Sequence, residues 1–98
     1  MSTPEQHVEF VDNAEAHQYE VRMDGALAGF VTYRLRPGRI EFIHTEVRDE
    51  FEGHGLGSRL AAAALDMARD RGWSVTPTCP FIEDFINEHD EYAPLLAS

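Results

Sequence analysis

The chain contains no lysine: all eight of its basic residues are arginine, set against 18 Asp and Glu for a formal net charge of −10. Nucleic-acid binding needs a dense basic face to neutralise phosphates, so this balance argues against that class of function. An acidic chain suits a cationic partner such as an amine, although acidity serves solubility equally well. Without lysine, no side-chain amine is available for self-modification. Cysteine is almost as scarce, and the lone Cys79 excludes an internal disulfide and fits a reducing, cytoplasmic compartment. No apolar run approaches the roughly 18 residues of a membrane span, and the N-terminus has no basic patch leading into an apolar stretch, so no membrane association is expected. The five histidines and single cysteine show no metal-ligand spacing, so no metal is expected either. The 98 residues suit one domain over 1–98, with 1–5 expected to be disordered, and are too few for a two-halved dinucleotide fold.

What is present is alternation, then a helix. Glu20 to Met23 alternates and ends at Asp24-Gly25, a dipeptide favoured in tight hairpin turns. Ala26 to Arg36 reads as a longer strand, with Phe30, Thr32 and Arg34 on one side and Val31, Tyr33 and Leu35 on the other. Pro37-Gly38 breaks it, and Arg39 to Val47 alternates again, which puts Ile40, Phe42, His44 and Glu46 on one face. A shorter strand is expected near Val8 to Val11. Leu56, Leu60, Ala61, Ala64, Leu65 and Ala68 recur at helical spacing up to a C-capping Gly72. Trp73 to Thr78 follows as an edge or splayed strand carrying Pro77. Pro80 to His89 closes with Phe81, Ile82, Phe85 and Ile86 as the apolar side of a second helix. The fold class is therefore α/β, a mostly antiparallel sheet with a splayed strand and two covering helices.

Three glycines at alternate positions, Gly53, Gly55 and Gly57, stand directly before the first helix. Glycine is costly to order, so the cluster needs a reason. A glycine-rich turn at a helix N-terminus aims several backbone N–H groups at one point, adds the positive end of the helix dipole, and so forms an anion site suited to phosphate. The three glycines permit positive φ and close approach of a ligand. The P-loop pattern fails because no lysine follows Gly57, and the dinucleotide fingerprint fails because Ser58 stands where its third glycine belongs. Arg48 and Arg59, with His54, are the nearest sources of positive charge. At physiological ionic strength charges beyond about 8 Å are screened, so these neighbours outweigh remote carboxylates.

The stretch TEVRDEFEGHGLGSRL, Thr45 to Leu60, resembles the acetyl-coenzyme A motif of the GNAT acetyltransferase superfamily, with Glu52 to Gly57 in the motif and Val47 at the preceding strand end. His44 to Val47 (HTEV), Cys79 to Phe81 (CPF) and His89 to Tyr92 (HDEY) extend the likeness to a subgroup of small single-domain GNAT-like proteins, over roughly Tyr19 to Leu96. The resemblance implies that acetyl-coenzyme A is the co-substrate and that the amides of Gly53 to Gly57 cradle its pyrophosphate. It also implies that the backbone at Val47 aligns the pantetheine arm and thioester where two strands splay. The expected cofactor-binding set is Val47, Arg48, Gly53, His54, Gly55, Leu56, Gly57 and Ser58. Glu52 departs from the family's Gln or Arg and is expected to point outward.

Acetyl transfer to an amine requires a base for the nucleophile and donors for the oxyanion. His44, three residues before Val47, is a candidate base, with Glu46 as rival; the alternative for His44 is a partly buried residue bonded to a neighbouring strand. His7, His17 and His89 are expected on the surface. Cys79 precedes Pro80, a residue suited to a helix's first position, which makes the cysteine an N-cap whose sulfur the helix would activate. In the subgroup it is a candidate acetyl acceptor or catalytic residue, and the alternative is a small buried hydrophobe. Larger GNAT enzymes carry a Tyr where this chain has Ile86, and Tyr92 is the available substitute. The expected function is an N-acetyltransferase acting on an unidentified amine, whether a polyamine, a small molecule or a protein lysine. Almost nothing precedes the hairpin region to shape an acceptor pocket, so another protein or a second copy is expected to cover the open side. The rival reading is a coenzyme A-binding module or sensor with little turnover, and the third is a structural domain with no ligand.

Overall fold

The computed structural model describes residues 7–96, so the disorder expected of 1–5 lies outside the described residues. β1 (Val8–Asn13), β2 (Gln18–Met23), β3 (Ala26–Arg36) and β4 (Arg39–Val47) form an antiparallel meander. Asp24 and Gly25, at φ 52° and 84°, make the tight turn that their identities predict. The helix α1 (Leu56–Asp70) then crosses to β5 (Ser74–Pro77), which pairs in parallel with β4 at the edge of a five-stranded sheet ordered β1 to β5. The helix α2 (Pro80–Glu88) and a 3₁₀ segment (Asp90–Leu95) complete the described chain.

Tyr19, Val21 and Met23 of β2, Val31 and Tyr33 of β3, and Ile40 and Phe42 of β4 turn to one side of the sheet, where they pack against both helices. The helical repeat of α1 buries Leu60, Ala61, Ala64, Leu65 and Ala68 there, and α2 adds Ile82, Phe85 and Ile86. Each fully buried Leu or Ile contributes about 1.5–3 kcal/mol, so this side carries most of the stability. Leu35, expected beside Val31 and Tyr33, lies at the hairpin end and is 46% exposed.

One expectation is overturned in β4. Thr32 pairs with His44 but Tyr33 pairs with Phe42, which leaves Ile43 as an extra residue. Such a bulge reverses the alternation beyond it. Ile40 and Phe42 therefore face the helices while His44 and Glu46 face the opposite, uncovered side of the sheet. Thr45 and Val47 take the helix side instead.

The uncovered side has its own buried group. Glu20 is 2% exposed beneath Asn13, Gln18 and Arg22. Its burial alone would raise the carboxyl pKa, but donors from Gln18, Asn13 and Arg22 outweigh that and hold it below the ordinary carboxylate range.

Candidate functional site

β4 and β5 pair over only four positions, from Arg39 with Ser74 to Phe42 with Pro77. Proline has no N–H to continue a ladder, and the strands part there. Thr78 donates its hydroxyl to the Glu41 carboxylate at 2.5 Å, and the Cys79 N–H returns to the Phe42 carbonyl at 2.8 Å, marking the vertex of the splay. From Ile43 onward β4 keeps β3 on one side only. The Arg48 N–H donates to the Ala28 carbonyl of β3 at 2.8 Å. Successive amides of an extended strand face opposite edges, so the Val47 N–H is directed into the open side of the splay.

A 3₁₀ turn (Asp49–Phe51) carries the chain from β4 into the glycine loop. Gly53 and Gly55 sit at φ 87° and 67°, which strains any other residue. A Cβ at either would meet nothing within 4 Å, so the space beside the loop is open. Gly55 is the N-cap of α1 and supplies no side-chain cap. Its carbonyl accepts from the Arg59 N–H at 3.3 Å, so the preceding helical amides, those of Leu56, Gly57 and Ser58, have no partner within the helix. Gly57 corrects the sequence expectation: it is a helical residue without positive φ, and its Cβ would stand 3.2 Å from Phe81 Cζ and 3.7 Å from Val47 Cγ2. It is needed for close packing between α1, α2 and β4.

Between these parts lies a cavity of about 250 Å³. Of the expected cofactor-binding set, the structure brings Val47, Gly53, Gly55, Leu56, Gly57 and Ser58 together around it. Arg48 and His54 are not brought there. Arg48 lines a neighbouring concavity with Glu46, Asp49 and Glu50, His54 is exposed outside the lining, and the Arg59 guanidinium lies over the Phe10 ring at 5.9 Å. Three lining residues escaped the sequence reading: Phe51, Glu52 and Phe81. Phe81, assigned to the apolar side of α2, is instead 42% exposed, and Glu52, expected to point outward, is exposed at the border of the cavity. The free amides match phosphate oxygens, and the apolar wall of Val47, Phe51, Leu56 and Phe81 matches an aliphatic arm. The residues present therefore fit a phosphorylated, chain-like ligand.

The catalytic candidates are separated. Cys79 is the N-cap of α2 with Pro80 at its first turn, as expected, but its sulfur makes no capping bond. Cys79 is 3% exposed, its sulfur lies 3.3 Å from Thr45 Oγ1, and the residue does not line the cavity. His44 is on the other face of β4, exposed, with Nε2 3.6 Å from Glu46 Oε1. Tyr92, the substitute for the missing tyrosine, is buried and donates its hydroxyl to Asp66 of α1 at 3.0 Å, away from the splay. Burial and the Asp66 carboxylate push its pKa up. His89, expected at the surface, is half-buried and stacked on Phe85 at 4.0 Å between ring centroids. Among the described residues no group of three or more His, Cys, Asp or Glu side chains could hold a metal ion.

Residues 18–95 match the family model described as GCN5-related N-acetyl-transferase. Protein NATD1 of Xenopus tropicalis is 27% identical over 88 residues, covering 88% of this chain and 81% of that protein. A GCN5-like protein of Staphylococcus aureus solved by NMR superposes with a TM-score of 0.69 at 23% identity, over 92% of this chain and 88% of that one. A ribosomal-protein-alanine N-acetyltransferase from Brucella melitensis biovar Abortus 2308 gives a TM-score of 0.53 at 25% identity, over 83% of this chain and 61% of that one.

Proposed function

The chain belongs to the GCN5-related N-acetyltransferase family, and from that premise we propose that it binds acetyl-coenzyme A and transfers the acetyl group to an amine. The observation that supports this reading most is the cavity joining the glycine loop to Val47 beside the splay. The amides of Gly53 to Ser58 hold the pyrophosphate, and Val47, Phe51, Leu56 and Phe81 exclude water from the pantetheine arm. The Val47 N–H, directed into the open edge, holds the thioester carbonyl and offers a donor as negative charge develops on its oxygen. The coenzyme supplies an acetyl group activated as a thioester; the remaining contributions come from the chain.

An ammonium must lose a proton before it attacks. In this reading His44 takes that proton from an amine arriving across the uncovered sheet face, directly or through water, and Glu46 beside it steadies the imidazolium. The same uncovered face is where a second copy or another protein would complete an acceptor pocket. Cys79, at the vertex of the splay, is the chain's one thiol and the residue through which a covalent route would run. Its Sγ would gain the acetyl group while its proton leaves with the departing thiol, and the amine would then take the acetyl from sulfur.

One observation favours a second reading, a coenzyme A-binding module with little turnover: Cys79 is buried and His44 lies on the opposite face of the strand. Intact-mass spectrometry after incubation with acetyl-coenzyme A, with and without spermidine or a lysine peptide, separates the two. Acetylated amine, or one acetyl group on Cys79, supports transfer. Retention of the coenzyme with neither product supports the module.

A further inference from the structure

Nine residues line the cavity, and the one charged side chain among them is Glu52. A site whose attraction for anions comes only from peptide dipoles thus has an acidic residue, exposed, in its lining. The turn Asp49–Phe51 holds the residue there: the Glu52 N–H donates back to the Asp49 carbonyl at 3.2 Å, which fixes its backbone beside the glycine loop. Among the described residues no ion pair engages its carboxylate. The cations that could offset it are placed elsewhere, Arg48 beyond Val47 and Arg59 over Phe10. The helix contributes the equivalent of about +0.5 charge at its N-terminus, less than the full charge of one carboxylate.

We propose that Glu52 is an affinity-setting residue that weakens binding of the phosphorylated coenzyme, so that the cavity holds its anion against a built-in repulsion. This rests on the reading that the cavity is the coenzyme site. The consequence is selectivity by ligand charge. A pantetheine arm without phosphate is indifferent to Glu52, whereas each phosphate charge near the loop is penalised. The repulsion acts across partly exposed space, so it is moderate and screened by salt.

The test is calorimetric binding of coenzyme A and of pantetheine to the full chain, its Glu52→Gln and Glu52→Arg variants, and Glu15→Gln, which removes an equal charge from the distant Ala14–Ala16 turn. Glu52→Gln is expected to tighten coenzyme A binding about fivefold at low salt, and Glu52→Arg further, with the gain shrinking as salt rises. Pantetheine affinity is expected to be unchanged in all variants, and Glu15→Gln to behave as the unaltered chain. Equal coenzyme affinity in the unaltered chain and Glu52→Gln would overturn the proposal while leaving the coenzyme site standing, as would equal gains from Glu52→Gln and Glu15→Gln. Failure of every variant to bind coenzyme A would overturn the site assignment, and the proposal with it.

Discussion

The two halves of β4 share one strand and do different work. Arg39 to Phe42 has a neighbour on each edge and buries Ile40 and Phe42 completely. Ile43 to Val47 has a neighbour on one edge only, and each of its residues is exposed or half-buried. What separates them is where β5 stops, at Pro77, together with the extra residue Ile43, which reverses the facing of β4 beyond it. In the proposed reading, withdrawal of a partner strand makes a binding edge, and the glycine loop supplies an anion site at the end of the edge so exposed. Stability and binding should accordingly be separable along a single strand.

The most severe challenge to that separation is in the inner half. Phe42→Ala should cost about 3–5 kcal/mol of stability by leaving a cavity in the core, read by urea denaturation. Val47→Ala in the outer half should cost far less stability, while the affinity for coenzyme A measured calorimetrically falls. Equal stability losses at the two positions would break the comparison.

A smaller effect sharpens it. Gly55 and Gly38 have nearly the same φ, 67° and 70°, and at neither would a Cβ meet any atom within 4 Å. Gly38 lies in the hairpin leading into the inner half of β4. Valine at either position should therefore cost a similar strain of about 1–3 kcal/mol, seen as matched falls in Tm. Only Gly55→Val should lose coenzyme affinity, by about tenfold, because only there do the amides face the ligand; a loss of 1.4 kcal/mol corresponds to that factor.

The smallest effect concerns Glu20, within the fully paired part of the sheet. Glu20→Gln should lower stability by about 1 kcal/mol at neutral pH, modest because Arg22 is partly exposed. The folded carboxyl pKa is depressed, so its stabilisation is present above the unfolded value near 4.3 and is lost as pH falls through the folded value. The gap between Glu20→Gln and the unaltered chain should close in acid, with coenzyme affinity at neutral pH the same in both.

Much of this arrangement was legible in the residues. Strands with strong alternation, the α1 stripe ending at Gly72, and the Asp24-Gly25 turn are local signals, and each element forms where its pattern falls. The loop was legible in Gly53 and Gly55, whose type before a helix announces a turn at positive φ, whereas the packing role of Gly57 depends on where α2 and β4 lie. The bulge at Ile43 was not legible: an extra residue is defined by the register against β3, and no property of β4 alone announces it. That one residue carried His44 and Glu46 to the uncovered face. Phe81 was misplaced for a related reason, since it adjoins the stripe of Ile82, Phe85 and Ile86, and only the position of α1 decides that its ring meets Gly57.

The most direct test of the account is an amide NMR titration of the labelled chain with coenzyme A. Shifts concentrated at Gly53, Gly55, Gly57, Ser58 and Val47, with Ile40 to Phe42 nearly silent, are the predicted result. An unmoved glycine loop at saturating coenzyme, or shifts spread evenly along both halves of β4, would contradict it.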